Sequence, residues 1–591
     1  MKSVYEPLTW LVGGEAGYGI TTMGQMFARA CSRAGLNVFG YVEYPSLIRG
    51  GHNIAMVRVG TETVHAHSDK IDIMLALNKE TVDLHSTEMA EGGVIIYDGE
   101  TVVLDAEKCA GLRLISVPLA RITKELGAER VMRNTVALGA SFAIVGMGFG
   151  PVENVLQSTF ERKGPEVVAH NIGVAKAGFD FVMENYKEPF AKTLAAVPGA
   201  PKRMVISGNE AIALGALKAG VKFMAAYPMT PVTSIMQIIA KYGVKHKIVM
   251  KHSEDEIAAI NMAIGAAHMG VRSMTATAGG GFSLMAEALG MAGITETPLV
   301  VVEGMRPGPS TGLPTWTDQA DLRFLMHASQ GEFPRVIFLP GDMKECFEMT
   351  LKAFNTAEKY QMICMLLTDK YLGESVQSVE LFMQDYTVDR GARVSMEEAA
   401  AMKQGDYKRF EFTESGVSKR AVPGMPNTIY AVSTDEHKED GDLDEGSENR
   451  IKMVDKRARK LETLRKEYLS AVEMCELHGP ADAELTLVGW GSTKGPILEA
   501  MGVANENGLK VNFLQIKMVL PFPTEAVAAI LGAAKKRVLV ENNSEGQMGG
   551  VIRQYTGIEI TDRLLRYDGR PLHPAEILAK IHDTLNAGTN P

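Results

Sequence analysis

The sequence predicts an α/β fold made of three parallel-sheet units in series, and three observations carry the prediction. Short apolar runs of strand length alternate with helix-period segments from end to end. Glycine is abundant, 59 of 591 residues, and many glycines flank the apolar runs, as tight strand-to-helix turns require. A chain of 591 residues is also too long for one core, and its length calls for about three to four domains.

Taken in order, residues 1–190 form the first unit. "LTWLVGGEAGYGITTMGQMFARACSRAGLNVFGY" reads as strand, glycine-rich turn, helix and strand, a βαβ opening whose helix sets Met23, Phe27, Ala30 and Cys31 on one face. "KIDIMLALN" and "GGVIIYDG" continue as buried strands. A linker, 191–203, lies in a proline-bearing stretch poor in large apolar residues. The second unit, 204–385, carries strands at "SMTATA", "PLVVVEG", "RVIFLP" and "QMICMLLTD". Residues 386–480 form an extension, in which the acidic "STDEHKEDGDLDEGSENR" reads as a solvated loop and "IKMVDKRARKLETLRKEYLSAVEM" as an amphipathic helix. The third unit, 481–591, alternates strands "ELTLVGWGST", "KVNFLQIKMV" and "RVLVENN" with helices.

Composition narrows the function. A net charge of −10 argues against nucleic acid or an anionic membrane as the main partner. Five cysteines, at 31, 109, 346, 364 and 475, form no CxxC pair, so neither an iron–sulfur cluster nor a metal site is expected in this chain. Their odd, scattered count, the absence of a signal-peptide-like start and of any run of 18 apolar residues lead to the expectation of a cytoplasmic protein.

Six stretches carry chemistry. "GGEAGYG", with Gly13, Gly14, Gly17 and Gly19, could present amides to a phosphate at a helix N-terminus, or be a tight turn without a ligand. Arg49, before a Gly-Gly pair, could meet an anion or stand in solvent. In "YPMTP" the prolines restrain Tyr227 and Thr230 and stiffen a turn at a strand's carboxyl end, where α/β proteins bind ligands. In "KHSEDEIAAINMAIGAAHMG", Glu256 heads an apolar helix, either as a desolvated proton-transfer group or as a dipole-favoured N-terminal glutamate, with Glu254 and Asp255 as competitors. "TATAGGG" supplies bare backbone at a helix start, and "EGMRPGPSTGLPTWTDQADL" sets Arg306, a planar fork suited to a carboxylate, in a Pro/Gly-constrained loop with hydroxyl residues between Ser310 and Thr317.

Together these stretches resemble the 2-oxoacid:ferredoxin oxidoreductase family, as an alpha subunit with a gamma domain fused at its N-terminus. "GGEAGYG" with "RGGHN" looks like the gamma domain, and "YPMTP" is similar to the family's Tyr-Pro-Ile-Thr-Pro. "RPGPSTGLPT" with "DQADL" is close to the family loop, and "LPFP" with "VENNSEGQMGG" looks like the transketolase-like C-terminal domain. The three units would then be a gamma-like domain, a thiamine-diphosphate pyrimidine-binding-like domain and a transketolase C-terminal-like domain. The resemblance implies coenzyme A-dependent oxidative decarboxylation of a 2-oxoacid, with electrons passed to ferredoxin, in a direction that could also fix CO2.

By the same resemblance, Glu256 would hydrogen-bond the aminopyrimidine of thiamine diphosphate, with Tyr227, Pro228 and Thr230 beside the cofactor. Thr230, Arg306 and Thr315 would line the substrate pocket, Arg306 pairing with the carboxylate, and Gly13, Gly14, Gly17, Gly19 and Arg49 would help place coenzyme A. The chain lacks the GDG motif that holds Mg2+ and the diphosphate, and it lacks cluster cysteines. Both belong to a beta subunit in the family, so a heterotetramer, (alpha-beta)2, with Mg2+ and a [4Fe-4S] cluster in the partner is implied. The fused layout leans towards 2-oxoglutarate; pyruvate, branched-chain or aryl 2-oxoacids, or a non-catalytic transketolase-fold scaffold, are the alternatives. Two departures stand out. The turn continues Pro231-Val232-Thr233-Ser234, and Glu15 and Tyr18 occupy the glycine motif where smaller or amide residues are usual.

Overall fold

The computed structural model describes residues 7–47, 50–190 and 192–586, which divide into two compact units. One holds residues up to Ser207 with Glu374–Phe382 and His573–Leu578; the other holds most of the remainder.

The first unit is built on one eight-stranded sheet in the order Arg113–Ser116, Met89–Tyr97, Ile71–Ala76, Leu8–Glu15, His52–Gly60, Asn37–Glu43, Val376–Glu380, Arg203–Ser207. The first four of these run parallel. The opening strand–helix–strand differs from a plain βαβ unit. Strands Leu8–Glu15 and Asn37–Glu43 are not neighbours, because His52–Gly60 lies between them and pairs antiparallel with both. Small residues permit the insertion: a Cβ on Gly24 of helix Ile20–Arg33 would stand 2.6 Å from the Ala55 methyl, so the helix rests directly on the inserted strand. Met23, Phe27, Ala30 and Cys31 face inward as their spacing predicts, with Phe27 stacked on Trp10 at 4.2 Å.

The second unit holds two sheets. Seven strands run Met518–Leu520, Arg335–Phe338, Ile363–Asp369, Leu299–Met305, Ser273–Thr277, Phe223–Ala226, Val249–His252. All are parallel except Met518–Leu520, which the last segment lends antiparallel to the edge. The five-stranded sheet runs Cys475–His478, Val511–Ile516, Leu485–Trp490, Arg537–Glu541, Arg563–Leu565, and its first strand alone is antiparallel. Gln319 ties the two sheets. Its buried amide accepts from the Asn542 N–H at 2.9 Å and donates to the Trp490 carbonyl at 2.9 Å.

The extension behaves differently from an ordinary amphipathic helix. Helix Ser447–Glu467 buries a stripe of Met453, Lys456, Arg457, Lys460 and Leu464, so its inward face is largely cationic. The reason is Glu296, fully buried just past the helix Gly279–Ile294 and held at φ +50°. A non-glycine residue there costs about 1–2 kcal/mol of backbone strain. Lys456 reaches both carboxylate oxygens, at 2.6 and 2.9 Å, Lys460 pairs with the same group, and Arg409 donates to the Glu296 carbonyl at 2.8 Å. Burial alone would raise this carboxyl, but Lys456, Lys460 and Arg409 outweigh it and hold it well below the carboxylate range. The acidic segment is exposed over most of its length yet pinned by Glu436, which Arg457 grips at 2.8 and 3.0 Å.

Glu296→Gln should therefore lower unfolding stability by about 3–5 kcal/mol, because it strands buried ammonium groups. Denaturant unfolding of the chain measures this, and a change within experimental error would contradict the arrangement.

Candidate active site

Parallel strands point their carboxyl ends the same way, and four neighbouring ones deliver the site. Strand Phe223–Ala226 leads into the Tyr-Pro-Met-Thr-Pro turn, Ser273–Thr277 into the three glycines, Leu299–Met305 into Arg306, and Ile363–Asp369 ends on Asp369. Register sets Thr277 opposite Glu303 and Met305 opposite Asp369. Motifs about seventy-five residues apart in sequence thus become neighbours.

The turn is fixed from below. Asn209, fully buried, donates to the Pro231 carbonyl at 2.8 Å and to the Ser234 hydroxyl at 3.0 Å. A Cβ on Gly304 would fall 2.5 Å from Val232, so the bare strand lets the turn pack onto it. The Arg306 guanidinium donates to the Thr230 carbonyl at 2.9 Å, joining the turn to the long loop. That loop is closed on itself by the Leu313 N–H to the Pro307 carbonyl at 2.9 Å, with Gly312 at φ +54° where a side chain would strike that carbonyl. Its far end is anchored by Gln319 and by the Thr317 N–H bonding the Gly569 carbonyl at 3.1 Å. A cleft of about 550 Å³ opens between these pieces, lined by Met229, Gly279, Gly280, Arg306, Asp321 and residues 308–311 among others.

Glu256 starts the helix Glu256–His268 and is buried, with no hydrogen-bond partner for Oε1 among the described residues. Its competitors separate: Asp255 caps the helix by accepting from the Ala258 N–H at 2.8 Å, and Glu254 is exposed. A Cβ on Gly281 would lie 2.5 Å from Glu256 Oε1 and 2.1 Å from Thr277 Oγ1, so only glycine leaves room there. Tyr227 is exposed and Pro228 and Thr230 half-buried at the turn. Thr315 is buried, its hydroxyl has no partner among the described residues, and it is not on the cleft wall.

Carboxyl groups crowd behind Arg306. Burial drives the Asp318 carboxyl up to about 7 and Asp321 up to about 6, and it raises Asp369 and, most of all, Glu303. None of these four was singled out in the sequence, where each reads as a strand end or a loop acid.

The first unit has a separate cleft of about 300 Å³ at the glycine turn. Gly13 and Gly14 belong to the strand Leu8–Glu15 and serve packing: a Cβ on Gly13 would meet Thr81 at 2.5 Å. Gly17 (φ +94°) and Gly19 (φ +72°) make the turn, and Gly19 precedes helix Ile20–Arg33. Gly17 and Tyr18 line the cleft with Asp98, Arg130, Arg133 and Asn134, whose amide donates to the Tyr18 carbonyl. Arg130 and Arg133 were not singled out in the sequence; the clue there is that Arg133, Asn134 and Thr135 open the otherwise mostly apolar helix Arg133–Ile144. Arg49 lies outside the described residues.

Family models match along the chain. The model described as "Pyruvate flavodoxin/ferredoxin oxidoreductase, thiamine diP-bdg" covers residues 214–456, "Pyruvate ferredoxin/flavodoxin oxidoreductase" covers 9–181, and "Pyruvate:ferredoxin oxidoreductase core domain II" covers 483–577. The alpha subunit of the 2-oxoacid:ferredoxin oxidoreductase of Saccharolobus solfataricus is 33% identical, over 98% of both chains. The 2-oxoglutarate oxidoreductase subunit KorA of Mycobacterium tuberculosis is 28% identical, over 91% of this chain and 86% of that one. The 2-oxoglutarate:ferredoxin oxidoreductase of Magnetococcus marinus, solved with 2-oxoglutarate, coenzyme A and succinyl-CoA bound, superimposes with a TM-score of 0.91 at 32% identity, covering 98% of this chain and all of that one. Fold and site thus define an oxidoreductase subunit with a thiamine-diphosphate-binding type of domain. The chain belongs to the 2-oxoacid:ferredoxin oxidoreductase family, as an alpha subunit.

Gly281→Ala should push Glu256 aside. In the assembled enzyme turnover is expected to fall about a hundredfold, the cost of a displacement of about 1 Å, and near-normal turnover would contradict the cradle.

Proposed function

We propose that this chain is the substrate-clamping alpha subunit of a coenzyme A-acylating enzyme acting on 2-oxoglutarate, forming succinyl-CoA and CO2 and passing electrons to ferredoxin. The carrying observation is Arg306, fixed to the Thr230 carbonyl and lining the cleft. The whole-length likeness to a 2-oxoglutarate-bound relative supports the substrate. Pyruvate is the second reading, favoured by the descriptions of the family models.

The residues present fit thiamine diphosphate: a buried, unpartnered Glu256 oxygen beside a position only glycine can occupy is a ready partner for an aminopyrimidine. Bound there, that cofactor supplies the carbon nucleophile for decarboxylating a 2-oxoacid. Glu256 holds or takes a proton at Oε1, shielded from water by the helix start. Tyr227, Pro228 and Thr230 border the cofactor on the turn. Arg306 orients the 2-oxoacid by its carboxylate, a bidentate match that a lysine would not give. Thr315 supports the loop from its buried position.

In the first unit, Arg130 and Arg133 with the N-terminus of helix Ile20–Arg33 suit the phosphates of coenzyme A. Gly17 and Gly19 shape that turn, with Gly13 and Gly14 in the strand before it. Residues 1–190, 204–385 and 481–591 act as gamma-like, pyrimidine-binding-like and transketolase C-terminal-like domains, joined by 191–203 and 386–480. A beta subunit supplies the Mg2+ and diphosphate site and a [4Fe-4S] cluster in an (alpha-beta)2 assembly in the cytoplasm. Five buried, unpaired cysteines accord with a reducing compartment, and among the described residues no helix is long and apolar enough to cross a membrane.

The two clefts predict crossed effects. Arg306→Ala should raise the KM for the 2-oxoacid at least tenfold more than that for coenzyme A, and Arg133→Ala the reverse. Steady-state kinetics of the assembled enzyme decide, and equal effects on both substrates would reject the assignment.

A further inference from the structure

Glu303 sits in the strand Leu299–Met305, fully buried, two residues before its end. No donor reaches either of its carboxyl oxygens among the described residues. The group within hydrogen-bonding reach is the carboxyl of Asp321. Two carboxylates cannot share a hydrogen bond unless one carries a proton.

The surroundings say which. Asp321 borders the cleft with Arg306, whose charge favours its ionised form. Its oxygen lies against the start of helix Gly279–Ile294, 2.4 Å from where a Cβ on Gly279 would be. Asp369, on the next strand, has donors of its own: the Thr317 hydroxyl at 3.2 Å and the Leu372 N–H at 2.9 Å. Asp318 accepts from the Gln319 N–H at 2.7 Å. On the other side, strand Ser273–Thr277 brings neutral Thr277 opposite, with Glu256 beyond it. Arg306 is thus the cation that acts on both Glu303 and Asp321, and among the described residues only another carboxyl is within reach of Glu303.

We propose that Glu303 is a positioning residue which holds a proton, donates it to the Asp321 carboxylate, and so keeps Arg306 available to an anionic substrate. With Glu303 neutral, one carboxylate faces Arg306, and its charge is partly engaged by the shared proton. Loss of that proton leaves two carboxylates beside one guanidinium. They neutralise it and repel the incoming carboxylate. Burial, the nearby Asp321 and Asp369, and the hydrogen bond to Asp321 all raise the Glu303 carboxyl well above its ordinary value, against the pull of Arg306. Of the two carboxyls, Glu303 is thus the one that holds the shared proton. This inference rests on the reading of Arg306 as the carboxylate clamp.

The test is the pH dependence of KM in the assembled enzyme. In the wild type the 2-oxoacid KM should climb on the alkaline side, by at most about tenfold per pH unit for one linked proton, while the coenzyme A KM does not share that rise. Glu303→Gln, isosteric and permanently neutral, should keep kcat within about threefold and flatten the rise. Asp318→Asn should leave it in place. Asp321→Asn removes the acceptor charge that helps raise Glu303 and should move the rise to lower pH, so it asks the same question if the Glu303→Gln complex does not assemble. A rise persisting at its wild-type pH in Glu303→Gln, or in Asp321→Asn where that is the variant recovered, overturns the proposal, as does a flat wild type. If Arg306→Ala still raises the 2-oxoacid KM selectively, only the carboxyl pair is rejected. If it does not, the clamp itself fails.

Discussion

The site depends on one constraint: a sixteen-residue loop, 306–321, must lie in a single conformation over the end of a parallel sheet. Proline and glycine cannot achieve this alone, since they shape a loop without fixing where it ends. Gln319 fixes the end. Its side chain and backbone bond Trp490, Asn542 and Asn543, all within 3.1 Å, and it is wholly excluded from water. Each partner would otherwise be a buried backbone or amide group without a mate, costing about 1–3 kcal/mol. The five-stranded sheet thereby acts as the jig that holds the long loop of the other sheet. Its lent strand, Met518–Leu520, seals the same association at the opposite edge.

With the loop anchored, the remaining pieces follow from strand order. Arg306 can bond the Thr230 carbonyl because Leu299–Met305 and Phe223–Ala226 flank the strand that ends in the three glycines. Those glycines do two jobs at once. Gly279 accommodates Asp321 and Gly281 accommodates Glu256, so two acids approach one helix start. A side chain at either position would separate them. Substitution-sensitive glycine here reflects crowding by carboxyl groups rather than a need for unusual backbone angles, since neither residue has positive φ.

Much of this was legible in the sequence, and the reasons differ by element. Strands and turns were readable because apolar runs bounded by glycine and proline have few alternative interpretations. The loop around Arg306 was readable because its residue types are hard to explain as packing. Thr230 and Glu256 each had a plain structural reading, a stiff turn and a dipole-favoured helix start, and stood out through the family resemblance. The adjacency of these motifs was not legible, for it depends on sheet order. Strand His52–Gly60, inserted between two strands that sequence order makes consecutive, was hidden for the same reason. Glu303 and Asp369 escaped notice because an acid at a strand end looks like the first solvated residue of a loop. Lys456 and Lys460 misled in the opposite sense: charges spaced along a helix suggest a wet face, and only buried Glu296 turns them inward. Arg130 and Arg133 acquire meaning only when the glycine turn stands opposite them.

The most direct test of the account is a substrate panel. The chain is co-expressed anaerobically with a candidate beta subunit, and the complex, shown to contain thiamine diphosphate and a cluster, is assayed for viologen reduction with a series of 2-oxoacids. The account predicts reduction that requires coenzyme A and is fastest with 2-oxoglutarate. Coenzyme A-dependent reduction led by pyruvate would retain the family chemistry and overturn the substrate. No reduction with any 2-oxoacid in a fully loaded complex would contradict the central claim that this cleft clamps a 2-oxoacid for oxidation.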